Sequence, residues 1–165
     1  MDADFHTFVD EANKSFQTAD HLTYSTYPLV KDPKLLLVIA ENLFKALSKG
    51  MEAIVYYERL YKRIPPINDD FNSKFEVFRE KCAPRYNLPR DSILLMRDLK
   101  NILDHHKKSP TEFRKGYDRF IMADRNLTVK TLDISKVKNY LHLTKSFIFK
   151  VNSIYNRINS PHSKG

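Results

Sequence analysis

The chain has 165 residues, 42 % of them hydrophobic and 12 % aromatic, and carries a formal net charge of +8. That size and composition fit one domain with a packed core rather than a disordered segment. Three glycines and no GxGxxG or GxxxxGK[ST] pattern exclude the usual nucleotide cradles, and a single cysteine, Cys82, excludes an internal disulfide and a cysteine-based zinc site.

Five segments carry helical periodicity. In the first, Phe5, Phe8, Val9, Ala12, Phe16 and Ala19 recur at the spacing of one helix face. A polar-aromatic connector, His21 to Tyr27, leads to Asp32-Pro33, which reads as an N-cap followed by proline at the first helical position. The second helix, about Pro33 to Arg63, is the longest and is apolar over a wide arc, so it is expected at the centre of the bundle. Gly50 in its interior points to close approach of another helix. Pro65-Pro66 ends it.

Asn68, Asp69 or Asp70 can cap a third helix carrying Phe71, Phe75, Phe78 and Cys82, with Pro84 and Pro89 in the loop that follows. A fourth runs from about Arg90 to Lys108, with Leu95, Leu99, Ile102, Leu103 and His106 facing inward. Phe120-Ile121-Met122 and Leu127-Thr128-Val129 then flank Asp124-Arg125-Asn126, the pattern of a β-hairpin. Ser135 is positioned to cap a last helix with a stripe from Val137 to Ile158, and residues 160–165 form a frayed tail. The expected fold is therefore mainly all-α. It is a single domain over 1–165, an up-and-down bundle of about five helices with a β-hairpin between the fourth and fifth.

Charge is uneven along the chain. Up to Glu80 there are ten Lys/Arg against thirteen Asp/Glu, and from Lys81 onward eighteen against seven. Such asymmetry points to a face that meets something negative, most often nucleic acid. The longest strongly apolar run, Leu35 to Ala40, is too short for a bilayer, and the acidic start lacks the apolar region of a signal peptide. A soluble cytoplasmic protein without membrane contact is the expectation.

The fourth helix holds the one arrangement that reads as chemistry. At 100° per residue from Ile93, His106 falls at about 220°, in the middle of the apolar stripe, while His105 at about 120° shares a flank with Asp98 at about 140°. Arg97, Asn101 and Asp104 lie on the side away from the core. Such a polar row can hold a phosphate and move a proton, or can simply be a solvated face. No metal-ligand spacing surrounds the histidine pair, and neither metal nor cofactor is expected.

At this helix the chain resembles the HEPN family of small all-helical domains. The family motif is Arg, usually a polar residue, and four to six residues before His. Arg97-Asp98 matches its first two positions, with seven residues between Arg97 and His105. The resemblance implies a metal-independent endoribonuclease formed across a homodimer, with His105 or His106 as general base or acid and Arg97 stabilising phosphorane-like charge. It equally implies an interaction subunit whose basic face meets an acidic, nucleotidyltransferase-like protein.

The basic residues themselves favour binding without catalysis, with RNA or a ribonucleoprotein as partner. Arg85, Arg90, Lys107, Lys108, Arg114, Lys115, Arg119 and Arg125 are the expected phosphate contacts, and Tyr117 is the stacking candidate. Lys136, Lys138, Lys145, Lys150 and Arg157 decorate the outer side of the last helix, where a merely soluble surface is an equal reading.

Overall fold

The structure is a computed structural model that describes residues 3–109, 111–115, 119–123 and 128–160, with the backbone alone at 111 and 113–115. Helices α1 (Ala3–His21) and α2 (Tyr27–Val30) form one continuous rod, joined by a wider π turn at Leu22–Thr26. Helix α3 spans Lys34–Leu60. A third rod comprises α4 (Phe71–Val77), a second π turn (Phe78–Cys82) and α5 (Ala83–Tyr86). Helix α6 is Arg90–Lys108, strands β1 to β3 are Thr111–Lys115, Arg119–Ala123 and Val129–Asp133, and α7 is Ile134–Asn159. Five helical rods and a β-hairpin between the fourth and fifth are what the sequence leads one to expect.

The differences have physical causes. The expected connector at 21–27 is helical, and the third rod runs on through Pro84. Proline lacks an N–H and clashes with the carbonyl four residues back, which normally ends a helix. Here each proline follows a π turn, closed by the Tyr27 N–H on the Leu22 carbonyl and the Ala83 N–H on the Phe78 carbonyl. Widening the turn makes room for Pro28 and Pro84 at the start of the next helical segment. The cap of α7 is Asp133, whose carboxylate accepts from the Lys136 N–H at 2.8 Å, in place of the expected Ser135. Asp70 caps α4, accepting from the Ser73 N–H at 2.9 Å. Asp32 accepts from the Lys34 N–H at 3.0 Å.

Helix α3 is the hub, with Leu36, Ile39, Ala40, Leu43, Ala46 and Leu47 fully buried and neighbours on several sides. A Cβ built on Gly50 would stand 2.7 Å from the Phe147 ring and 3.3 Å from Val151, so glycine is what lets α7 lie this close. The third rod runs in the same sense as α3. The Phe44 and Phe71 rings meet at a tilt with centroids 5.3 Å apart, Glu52 meets Lys74 at 3.1 Å, and Glu58 meets Tyr86. Residues 61–70, with Pro65-Pro66, carry the chain back along α3, a distance that about ten extended residues cover easily.

The sheet is antiparallel in the order β1-β2-β3. Strands β2 and β3 are the expected hairpin, with its turn outside the described residues, and β1 is an added strand in register with β2. Phe120, Met122 and Leu132 bury one face of the sheet in the core. The bundle thus has two ends. The near end holds the α2–α3 corner, the end of α6, the sheet and the start of α7. The far end holds the end of α3, the α5–α6 corner, the start of α6 and the end of α7.

Candidate nucleic-acid interface

At the far end, α3 finishes with a carboxylate inside the protein. Glu58 is 1 % exposed. Its Oε1 accepts from Arg63 Nη1 at 3.3 Å and from the Tyr86 hydroxyl, and lies 3.6 Å from Arg85 Nε. A buried carboxylate is costly unless several donors satisfy it, and this one gathers two guanidinium groups and a phenol. Burial first, and then the hydrogen bond to Glu58, pushes the Tyr86 phenol well above its ordinary range, so it remains a donor at neutral pH. The nearby Cys82 thiol is pushed up to about 12 by burial and by Glu58. It is a packed hydrophobe and not a nucleophile.

This anchor orders the α5–α6 corner, where Asn87 takes a left-handed backbone (φ 50°) that helps turn the chain toward α6. Between the corner and α7 lies a groove of about 380 Å³. Arg85, Tyr86 and Asn87 line one side, and Phe149, Lys150 and Arg157 are on the other. Phe149 is 71 % exposed, unusual for so large an apolar ring. Among the described residues no carboxylate lines the groove, and Glu58, beneath it, is engaged by its own donors. The result is a cationic slot with an aromatic wall.

Of the expected phosphate contacts, Arg85 is in this groove and Arg90 is exposed at the first position of α6. Lys107 and Lys108 are exposed at the last positions of α6, about 27 Å away along the helix axis at 1.5 Å per residue. Arg114 and Lys115 are in β1, opposite Phe120 and Arg119, and Arg119 is exposed on β2. Tyr117 and Arg125 lie outside the described residues. The expected cations therefore fall at the two ends of the bundle. What joins Arg85 instead is the pair Lys150 and Arg157, for which a merely soluble surface is an equal reading of the sequence. Phe149 is not among the residues expected to bind, although it interrupts the polar side of α7 one residue after Ile148, and that position is the signal the sequence holds.

The histidine pair is reversed from its helical-wheel placement. His105 is buried, with Nε2–H donating to the Met122 carbonyl at 3.2 Å. His106 is half-buried, its Nδ1 2.5 Å from Glu112 Oε1 but out of line for a hydrogen bond, and its ring is 6.4 Å from Phe120. The cause is the sheet, which covers the His105 flank of the last turns of α6. Arg97 is exposed with its guanidinium 5.3 Å over the Phe75 ring. It is two turns from His105 along α6 and directed to a different neighbour. Among the described residues no cluster of His, Cys, Asp and Glu could hold a metal ion, and no helix is long and apolar enough to cross a membrane. No family model, curated protein or solved structure matches the chain.

Proposed function

We propose that this protein is a non-catalytic RNA-binding module that holds an unpaired stretch of strand in the groove between the α5–α6 corner and α7. One observation carries the reading: Arg85, Lys150 and Arg157 converge on a slot that no carboxylate among the described residues lines, beside the exposed Phe149 ring. The cations neutralise phosphates and release their counterions, while Phe149 offers a face on which a base can stack. Unpaired RNA suits such a slot better than a duplex, because its bases are free to turn onto an aromatic side chain. The ribonuclease reading has no comparable convergence, since Arg97 is over Phe75 and His105 is under the sheet.

Anisotropy titrations with a labelled single-stranded RNA test this directly. Three phosphate contacts give a slope of about −2 in log affinity against log salt, or roughly a 20-fold loss between 50 and 200 mM. Phe149→Ala weakens binding about tenfold, the order of one lost stacking contact, with the melting temperature unchanged. Affinity that is flat with salt, or indifferent to Phe149→Ala, overturns the proposal.

A further inference from the structure

A second cleft, of about 470 Å³, lies at the near end between α6, β3 and the first turns of α7. That volume is within the usual range of small-molecule sites, about 300–1,000 Å³. Asp98 and Asn101 stand one turn apart on α6, at the spacing that shares a helix face, and both line the cleft. Neither makes an ion pair or hydrogen bond among the described residues. Lys130 lines it from β3, half-buried and without a carboxylate partner among the described residues. Lys136 lines it from α7, where its Nζ donates to the Thr131 carbonyl at 3.1 Å and keeps two further donors.

A carboxylate and two ammonium groups thus share a cavity without pairing. A third cavity, near Phe8 and Ile67, shows the ordinary alternative. There Lys74 neutralises itself against Glu52 at 3.1 Å and Asp69 at 2.5 Å. The cleft by α6 keeps its charges separate. Its apolar lining is Ile102, Val129 and the buried Tyr140. Burial, with Asp98 and Asp133 nearby, raises the Tyr140 phenol to about 12, so it lines the cleft as a neutral group.

A ligand that satisfies this set must present N–H donors to Asp98, an acceptor to Asn101, a flat apolar body and an anion. Guanine is the nucleobase with two adjacent N–H donors, at N1 and at the 2-amino group, and they match the two oxygens of a carboxylate. Its O6 lies beside them for the Asn101 amide. We propose that this cleft binds a guanosine monophosphate unit, with Asp98 and Asn101 reading the base and Lys130 and Lys136 holding the phosphate. The site is about 14 Å or more along α7 from the RNA groove and does not rest on that reading.

Calorimetric titration of the full chain with GMP, IMP and AMP tests it. GMP binds, and IMP, which lacks the 2-amino group, binds about tenfold more weakly for one lost charge-assisted hydrogen bond. AMP binds no better than IMP. Asp98→Asn, an exposed substitution checked for folding by its melting temperature, removes the preference for GMP over IMP, and Lys136→Ala weakens GMP but not guanosine. No GMP binding at about 1 mM, equal binding of GMP and AMP, or an unaltered preference in Asp98→Asn overturns the proposal. Phe149→Ala leaves GMP binding intact, so the two sites fail separately. Displacement of GMP by a short RNA holding one G assigns the unit to a strand, and lack of displacement assigns it to the free nucleotide.

Discussion

The two corners of the bundle are built alike and present different side chains. Tyr27-Pro28-Leu29-Val30-Lys31-Asp32-Pro33 joins the first rod to α3, and Ala83-Pro84-Arg85-Tyr86-Asn87-Leu88-Pro89 joins the third rod to α6. Each follows a π turn, places a proline at the start of a one-turn helix, reverses at a left-handed residue (Lys31 at φ 53°, Asn87 at φ 50°) and enters the next helix through a second proline. Yet the first presents Leu29 and Val30 to solvent, 86 % and 57 % exposed, with no buried carboxylate beneath among the described residues. The second presents Arg85 and Tyr86, tied down by Glu58. Proline spacing sets the backbone of both. The side chains at the two positions after the first proline decide which one becomes the wall of a cationic groove.

If Glu58 is what separates the corners, its removal has the largest effect. Glu58→Ala leaves Arg63, Arg85 and Tyr86 without their shared acceptor and costs roughly 2 kcal/mol, from lost hydrogen bonds to a charged group and the emptied site, because the two guanidinium groups left behind reach solvent. Urea unfolding measures it, and RNA affinity falls as well because Arg85 is no longer held at the groove. A loss below about 0.5 kcal/mol, the size of an ordinary surface substitution, means the second corner stands on its proline geometry alone.

How far the sequence reveals these features follows from their range. Helix periodicity and capping are local, so the rods, the Asp70 cap and the close approach at Gly50 are legible. The π turns are local too, but proline ordinarily means a stop, and nothing in residues 21–27 announces a helix that widens to admit one. Strand β1 has a single large apolar residue, Phe113, and becomes a strand through pairing with β2. The exchange of His105 and His106 depends on where a later segment of chain lands. Glu58 was readable in principle: Phe44, Met51 and Val55 form an apolar stripe, and Glu58 continues it, so a carboxylate was due to be buried there. One of its partners, Arg63, is local, but Arg85 and Tyr86 lie 27 and 28 residues further on, and no local pattern announces those.

Alkaline pH separates the corners next. In the second, the phenol of Tyr86 donates to Glu58 and has a raised pKa, whereas the equivalent position in the first is Val30. A raised folded pKa means that the folded state holds its proton more tightly than the unfolded chain. The stabilisation is therefore complete below the free tyrosine value, about 10, and is lost as pH rises above it. Tyr86→Phe costs about 1 kcal/mol at pH 8, and the gap to the parent narrows through about pH 11. A constant gap across that range shows that the hydroxyl contributes nothing through Glu58.

The smallest effect probes the reversal itself. Lys31 and Asn87 both sit in the left-handed region, where a Cβ crowds the following carbonyl, but asparagine tolerates that conformation better than lysine. Lys31→Gly relieves a cost of about 1 kcal/mol and raises the melting temperature by roughly 2–4 °C. Asn87→Gly gains only a few tenths, because less strain is present to release and glycine adds entropy to the unfolded chain. Equal gains at the two sites contradict the idea that asparagine was fitted to its corner. A loss at Asn87 alone instead assigns its side chain to the groove it lines, since the Arg85–Asn87 wall then depends on that amide and not only on the turn.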